Sequence, residues 1–491
     1  MNTFRDPIAR GARCFGTSVA LVDDVTGAAF SFSDVLECTA RVSPRLDDLG
    51  VAIGDRVALL ADGSPWFALL YLGIPASGRI VVPLNSRYTR SELEAACEDC
   101  EPSLLITDRP PELTAGLAGS VMSVDDFFAA PPVEDASAAI DEDHVAAIFY
   151  TGGTTDRSKG VMMTHRNKLV DALSLVAGLD LSESDRWLVM SPMFHAAGSF
   201  NVIPCVWVGA TQVFLPRFDA VAALQAIEQH RLTITFGVPT MLAALVDAQR
   251  KVRADVSSLR LLGHGGAPIT EALVRQVLDT FPTVELCAMY GATEMAPMAT
   301  ILRHQGRFAG TSVGRSAGRP VLGVDVSVRG PDGLPVPAGE LGEIVVRGPN
   351  IMPGYWRKPE ASAAALRTGA YWSGDVGYLD SDGYLYVIDR TKDMVITGGE
   401  NVYSTEVEDV LAAHHAVREA AVIGRPDDRW GEVVVAVVVL ATPNSSPIDA
   451  DELDRHCRSR LANYKLPRLY EFRDEPLPRS AAGKLLKREL R

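Results

Sequence analysis

The sequence predicts an α/β protein: a large N-terminal domain of parallel α/β sheets with a β subdomain, then a small α+β domain at the C-terminus. Three observations predict it. Apolar strand-like runs alternate with helix-like segments from about residue 50 to 300. Beyond about 310, Pro-Asp-Gly (331–333) and Ser-Asp-Gly (381–383) mark hairpins. A polar link, Asp389-Arg390-Thr391-Lys392-Asp393, precedes a last stretch sized for a small domain. The 491 residues exceed what one hydrophobic core usually supports. The boundaries read as 1–390, with the β subdomain at about 310–390, and 391–491.

In chain order, 57–60 reads as a strand, 65–76 as a helix, 80–84 as a strand, 92–98 as a helix and 104–106 as a strand. This βαβ rhythm implies parallel pairing with helices on the sheet faces. Residues 110–139, rich in Pro, Ala, Ser and acids, read as a surface connection. The rhythm resumes with an apolar strand from Ala146, a helix over 167–177 and a strand over 187–190 that runs into Ser191-Pro192-Met193-Phe194-His195-Ala196-Ala197-Gly198. Strands at 213–215, 232–236, 260–262 and 284–289 alternate with helices at 220–230, 240–248 and 270–278. Three of the strands end in polar or Gly-rich loops, where open α/β sheets bind ligands. In the last domain, Thr405 and Glu408 are spaced as a capping box, and a basic helix is expected at the terminus.

A net charge of −15 disfavours nucleic acid and anionic membrane as partners. The N-terminus lacks an apolar signal region, and the longest apolar run, 433–441, is too short to span a bilayer. Seven scattered cysteines fit a reducing, cytoplasmic setting. Cys97 and Cys100 lie among acids and read as a solvated helix face, and His414-His415 as surface.

The stretch around which the chain is organised is Thr151-Gly152-Gly153-Thr154-Thr155-Asp156-Arg157-Ser158-Lys159-Gly160. Glycines let backbone N–H groups approach an anion, Thr151, Thr154 and Thr155 add hydroxyl donors, and Lys159 adds a mobile charge. That is the chemistry of a polyphosphate cradle. It is not the Walker loop, since Ser158 stands where that loop needs Gly before its Lys.

This cradle, Tyr290-Gly291-Ala292-Thr293-Glu294, Ser373-Gly374-Asp375, Asp389-Arg390 and the terminal Gly483-Lys484 together resemble the adenylate-forming superfamily of acyl-CoA synthetases, adenylation domains and luciferases, closest in pattern to the synthetases. The resemblance implies ATP-dependent formation of an acyl-adenylate with release of pyrophosphate. It assigns Thr151 and Glu294 to Mg²⁺, and Lys484, Glu294, Lys159 and His195 to catalysis. Gly265, Gly266, Ala267 and Pro268 would lie along adenine, and Asp375 and Arg390 would hold the ribose. It also implies a mobile C-terminal domain turning about Lys392, with Gly398, Gly399 and Glu400 presented to a thiol. Coenzyme A is the expected acceptor, because no carrier segment follows the C-terminal module and no insertion precedes the hinge. A carrier protein is the alternative, and a homodimer is left open. The cradle departs from the family pattern: Gly152 replaces a Ser, Asp156 a Gly and Ser158 a Pro.

Relatives that activate amino acids carry an aspartate where His195 stands, so the resemblance implies an acid without an α-amino group. The expected pocket residues are His195, Ala196, Gly198, Phe236, Val238, Gly291 and Met295. Their apolar character points to a fatty or aromatic monocarboxylic acid.

Overall fold

A computed structural model describes residues 3–129, 139–151, 158–441, 449–479 and 485–491. Two compact units emerge. One comprises Met1–Val326 with Val346–Tyr371, the other Ser327–Val345 with Trp372–Arg491.

The first unit contains two sheets. The six-stranded one runs Ser120–Ser123, Leu104–Thr107, Arg56–Leu60, Ile80–Pro83, Val145–Thr151, Lys159–Thr164 in spatial order. All neighbours are parallel except the last pair. Its inner strands are buried along their length, which explains why they read as unbroken apolar runs rather than alternating ones. Helix Pro65–Ala76 starts where sequence reasoning puts it: Ser64 accepts a hydrogen bond from the Phe67 N–H, and Pro65 occupies the first turn.

The nine-stranded sheet has a core of six parallel strands: Glu285–Tyr290, Leu261–Gly265, Ile234–Gly237, Arg186–Val189, Thr211–Phe214 and Val19–Asp23. Antiparallel strands flank it on both sides. Val19–Asp23 pairs with a strand nearly two hundred positions later. No local periodicity announces such a pairing.

Two expectations fail in this unit. The described part of the connection at 110–139 includes Ser120–Ser123, an exposed edge strand parallel to Leu104–Thr107. Its polar residues suit an edge, which is why it reads as loop. Cys97 and Cys100 are buried, not solvated. With Leu93 and Ala96 they form the apolar stripe of helix Arg90–Cys100. Burial pushes their thiols up to about 11 and about 12.

In the second unit, Val417–Asp427 and Gly431–Leu440 form a long antiparallel pair, and Leu469–Arg473 joins parallel to the latter. The apolar run predicted too short for a membrane is the middle of this sheet. Val434, Ala436 and Val438 face one cluster, with Val407, Leu411 and Leu453; Val433, Val435 and Val437 face another, with Leu477 and Leu490. Hairpin turns form at both predicted Asp-Gly positions, with Gly333 and Gly383 at φ +79°.

The capping box does not form. Thr405 donates to the Ile388 carbonyl, and Glu408 turns inward, where it pairs with Lys487 Nζ at 2.7 Å and accepts from the Val422 N–H. Asp389 serves the start of helix Ser404–Ala412 instead, accepting from the Ser404 N–H and hydroxyl at 2.5 and 2.7 Å. The expected terminal helix is a single 3₁₀ turn, Lys487–Glu489, because Lys487 is drawn into this polar network. His414 is buried rather than on the surface, its ring against those of His415 and His456. Among the described residues no cluster of three His, Cys, Asp or Glu could hold a metal, and no helix is long and apolar enough to cross a membrane.

Burial raises the Glu408 carboxyl above its ordinary value, with Lys487 opposing. Lys487→Met should leave that carboxyl unpaired and destabilise this unit by about 3–5 kcal/mol. The loss should grow as pH rises above about 4.5, where the unfolded carboxyl ionises. Urea unfolding from pH 4 to 8 measures it, and adding Glu408→Gln should restore most of it.

Candidate active site

Four neighbouring strands of the nine-stranded sheet end side by side, in the order Glu285–Tyr290, Leu261–Gly265, Ile234–Gly237, Arg186–Val189. Their parallel pairing sets Gly291 to Met295, Gly266 to Pro268, Val238 and Ser191 to Gly198 along one edge. The chain reverses tightly there. A Cβ on Gly198 would lie 1.9 Å from the Pro192 oxygen, on Gly265 2.4 Å from the Met289 oxygen, and on Gly291 1.9 Å from the Pro297 oxygen. Backbone crowding alone demands these glycines, and Gly266 sits at φ +77°.

The edge has an apolar side. Phe236 meets Phe200 edge to face at 5.1 Å, and Phe200 meets Trp187 at 5.7 Å. Ala196 and Met295 are buried, Val238 half-buried. His195 begins the short helix Ala196–Ser199, its ring 4.5 Å from that of Phe194. Behind the edge, His264 Nε2 lies 2.7 Å from Gln305 Oε1. Burial drives this imidazole down to about 4, so it is neutral at ordinary pH.

Glu294 lies in the 3₁₀ turn Thr293–Met295 and is buried. Its Oε1 accepts from the Tyr355 hydroxyl at 2.9 Å. Lys159 Nζ stands 5.2 Å from the centre of the Tyr355 ring, so one side chain joins the cation beside the cradle to the buried carboxylate. The turn is held from behind. Asn350 donates to the Met295 and Met298 carbonyls, Lys168 Nζ to the Ala296 carbonyl at 3.1 Å, and Asp171 accepts from the Met298 N–H at 3.0 Å. Burial pushes the Asp171 carboxyl up to about 8. Sequence reasoning missed Tyr355, Asn350, Lys168 and Asp171. Only the last pair left a signal, two charges one turn apart in a helix that is otherwise largely buried.

Thr151 ends its strand with its hydroxyl donating to the Lys159 carbonyl at 3.4 Å, a long bond. Gly152, Gly153, Thr154, Thr155 and Asp156 lie outside the described residues, as does Lys484. A carboxylate and a hydroxyl are oxygen donors suited to Mg²⁺, an ion that takes few protein ligands and keeps phosphate and water oxygens. Glu294 and Thr151 fit it on that chemistry.

The second unit carries the other expected residues. Asp375 and Arg390 are register partners on adjacent antiparallel strands, with Nε 3.1 Å from Oδ1. Ser373 accepts from the Asp375 N–H, and Gly374, at φ +70°, donates to Glu343. Lys392 is brought down to about 8, mainly by burial and then by Arg390. Its carbonyl accepts from Arg491, which also pairs with Asp393 at 3.2 Å. Gly398 and Gly399, at φ +60° and +86°, are exposed with Glu400, and the Gly398 N–H donates to the Trp430 carbonyl. Arg429 and Arg468 lie 5.1 and 4.6 Å from the Trp430 ring.

Strand ends of this kind, with a separate α+β module downstream, define an adenylate-forming enzyme. The chain belongs to the AMP-binding enzyme family. The AMP-binding enzyme profile matches residues 8–356, and the profile of the family's C-terminal domain matches 406–484. It is an AMP-forming acid–thiol ligase. It is 43% identical over 476 residues to a feruloyl-CoA synthase from an Amycolatopsis species, covering 95% of this chain and 94% of that protein. It is 35% identical over 487 residues to a long-chain-fatty-acid–CoA ligase of Mycobacterium tuberculosis, covering 96% and 94%. Among solved structures, the o-succinylbenzoate CoA synthetase of Bacillus subtilis in complex with its acyl-adenylate intermediate matches with a TM-score of 0.90 at 31% identity, covering 100% of this chain and 98% of that one. The same synthetase in complex with ATP and a magnesium ion also matches with a TM-score of 0.90.

Unfolded, the His264 imidazole takes a proton near 6.5; folded, only near 4. The unfolded state binds more protons between these values, so stability should fall as pH drops through them, by about 3 kcal/mol at most. His264→Asn should flatten that dependence in denaturant midpoints measured from pH 4 to 7.

Proposed function

We propose that this chain activates an apolar monocarboxylic acid as its acyl-adenylate, releasing pyrophosphate, and passes the acyl group to coenzyme A. The observation that carries the reading is the line Lys159–Tyr355–Glu294 in the unit whose sheet edge is apolar. It puts a phosphate-binding cation and a metal-competent carboxylate beside a wall without a fixed carboxylate for an ammonium. Phe236, Phe200 and Trp187, together with the 43% identity to a feruloyl-CoA synthase, favour an aromatic acid over a straight fatty chain.

Adenylation joins a negative nucleophile to a polyanion, so the work is positioning and charge neutralisation. Mg²⁺ held near Glu294 and Thr151 would neutralise phosphate charge when bound. Lys159 and the cradle at 151–155 would hold the phosphates. The backbone of 265–268 and 290–293 would flank the base, where no Cβ can fit at Gly265 or Gly291. Asp375 would accept from a ribose hydroxyl, with Arg390 orienting its carboxylate. His195 would close the carboxylate end of the pocket, and Lys484 would meet the reacting carboxylate and α-phosphate.

For the thiol step, the exposed Gly398-Gly399-Glu400 loop lies beside Trp430 and its two arginines. An aromatic face flanked by guanidinium groups suits the adenine and phosphates of coenzyme A better than a protein surface. We place the functional division at 1–390 and 391–491, with Lys392 as the hinge, and the enzyme in the cytoplasm.

With the cognate acid the nucleotide product should be AMP; ADP would overturn the reading. Lys484→Ala should lose pyrophosphate exchange by on the order of 10²-fold, yet still convert synthetic acyl-adenylate and coenzyme A to thioester. Lys392→Pro, which fixes φ at the hinge, should keep exchange and stall thioester formation. Equal loss of both activities in both variants would remove the two-conformation mechanism. Thioester formed on a carrier protein but not on coenzyme A would replace the acceptor.

A further inference from the structure

We infer that Tyr355 is a positioning residue for adenylation, fixing the Glu294 carboxylate against the strand that leaves the phosphate cradle. The inference rests on the proposed role of Glu294 and adds a residue that no motif marks.

Two contacts of opposite character meet on this side chain. Its hydroxyl donates to Glu294 Oε1 at 2.9 Å, and its ring faces Lys159 Nζ at 5.2 Å. The Tyr371 phenol is also hydrogen-bonded to Tyr355, which leaves the Tyr355 hydroxyl little rotational freedom. One oxygen of Glu294 is thereby committed, and the other is the one left to face a cation.

The backbone around Tyr355 carries the same coupling. Tyr355 bridges Val161, the Met162 N–H donates to the Gly354 carbonyl at 3.1 Å, and the Trp356 N–H donates to the Gly160 carbonyl at 2.7 Å. The segment therefore lies along the strand Lys159–Thr164. A few residues earlier it grips the other loop: the Met352 N–H donates to the Glu294 carbonyl at 3.0 Å, and Asn350 holds the Met295 and Met298 carbonyls. A short stretch, 350–356, ties a turn of the nine-stranded sheet to a strand of the six-stranded one. Displacement of either loop is passed to the other through Tyr355. A carboxylate without this bond would spread over several rotamers, and charge stabilisation falls steeply with such looseness.

Tyr355→Phe removes the hydroxyl and keeps the ring over Lys159. The expected result is a roughly 10- to 100-fold loss of pyrophosphate exchange, the usual effect of deleting a hydrogen bond to a charged group. Mn²⁺ binding in the presence of a non-hydrolysable ATP analogue, read by electron paramagnetic resonance, should weaken by about tenfold. The KM for the acid, and thioester formation from synthetic acyl-adenylate, should stay within about twofold, since neither uses that carboxylate. Unchanged exchange and Mn²⁺ binding would overturn the inference. So would equal loss of both half-reactions with a lowered urea midpoint, which would make the bond merely structural. Glu294→Gln is the control for the underlying reading. If it leaves Mn²⁺ binding intact, the role of Glu294 fails; if it abolishes Mn²⁺ binding while Tyr355→Phe does not, only the role of Tyr355 fails.

Discussion

A strand covered on both faces holds a polar side chain only where it finds a buried hydrogen-bond partner, as His264 does in Gln305 and Thr235 in the Leu188 carbonyl. That constraint governs the first unit. The inner strands of both sheets are largely apolar, with a few buried polar residues such as Gln212, Thr235 and His264, so most polar groups of the edge stand in the loops at the strand ends. Parallel pairing then aligns those ends, and the loops after Val189, Gly237, Gly265 and Tyr290 become neighbours without being neighbours in sequence. The tight reversals that follow leave no space for a Cβ at Gly198, Gly265 or Gly291. The same glycines that let backbone approach a ligand are required by the fold without one.

Placing a carboxylate at such an edge raises a second problem, because Glu294 is buried and, among the described residues, its side chain has one hydrogen bond, from Tyr355. The turn around it is not held by regular secondary structure. It is held by Asn350, Lys168 and Asp171, whose polar atoms replace the missing ladder for the carbonyls of residues 295, 296 and 298 and the N–H of 298. Helix His165–Leu179 thus carries two ionisable side chains, Lys168 and Asp171, into the interior for the sake of a loop. Buried ionisable groups of this kind add little net stability, and specifying one loop conformation is the better account of them here.

The second unit solves a different problem, that of joining a strand to a module that must remain distinct from it. Asp389 ends the strand Leu385–Arg390 and accepts from the first residue of helix Ser404–Ala412, while Lys487 bonds both Ser404 and Glu408. The turn that holds Lys392 is tied separately, by Arg491, which donates to the Lys392 carbonyl and pairs with Asp393, while burial and then Arg390 lower the proton affinity of Lys392. The proposed hinge thus carries polar contacts, which can be exchanged with water at lower cost than a core can be opened.

The parallel α/β rhythm, the strand ends and the family were legible because the features that carry them are local. A helix face has its own period, a Gly-rich loop its own composition, and five short motifs in a fixed order point to one chemistry. Misreadings occurred where local pattern and tertiary demand diverged. Acids around Cys97 and Cys100 concealed an apolar stripe, and Glu408 left its cap for a buried partner. The first strand, Val19–Asp23, depends on a pairing that no neighbouring residue encodes. Tyr355 is the clearest case. In sequence it is one tyrosine after Pro353-Gly354, with no period or spacing to mark it. Only packing brings it between Lys159 and Glu294, residues 135 positions apart in the chain. The sequence by itself determined the fold class and the family. Tertiary structure decided which side chains hold the loops, because those contacts come from segments distant in the chain, as 350–356 bonds both the Glu294 turn and the strand Lys159–Thr164.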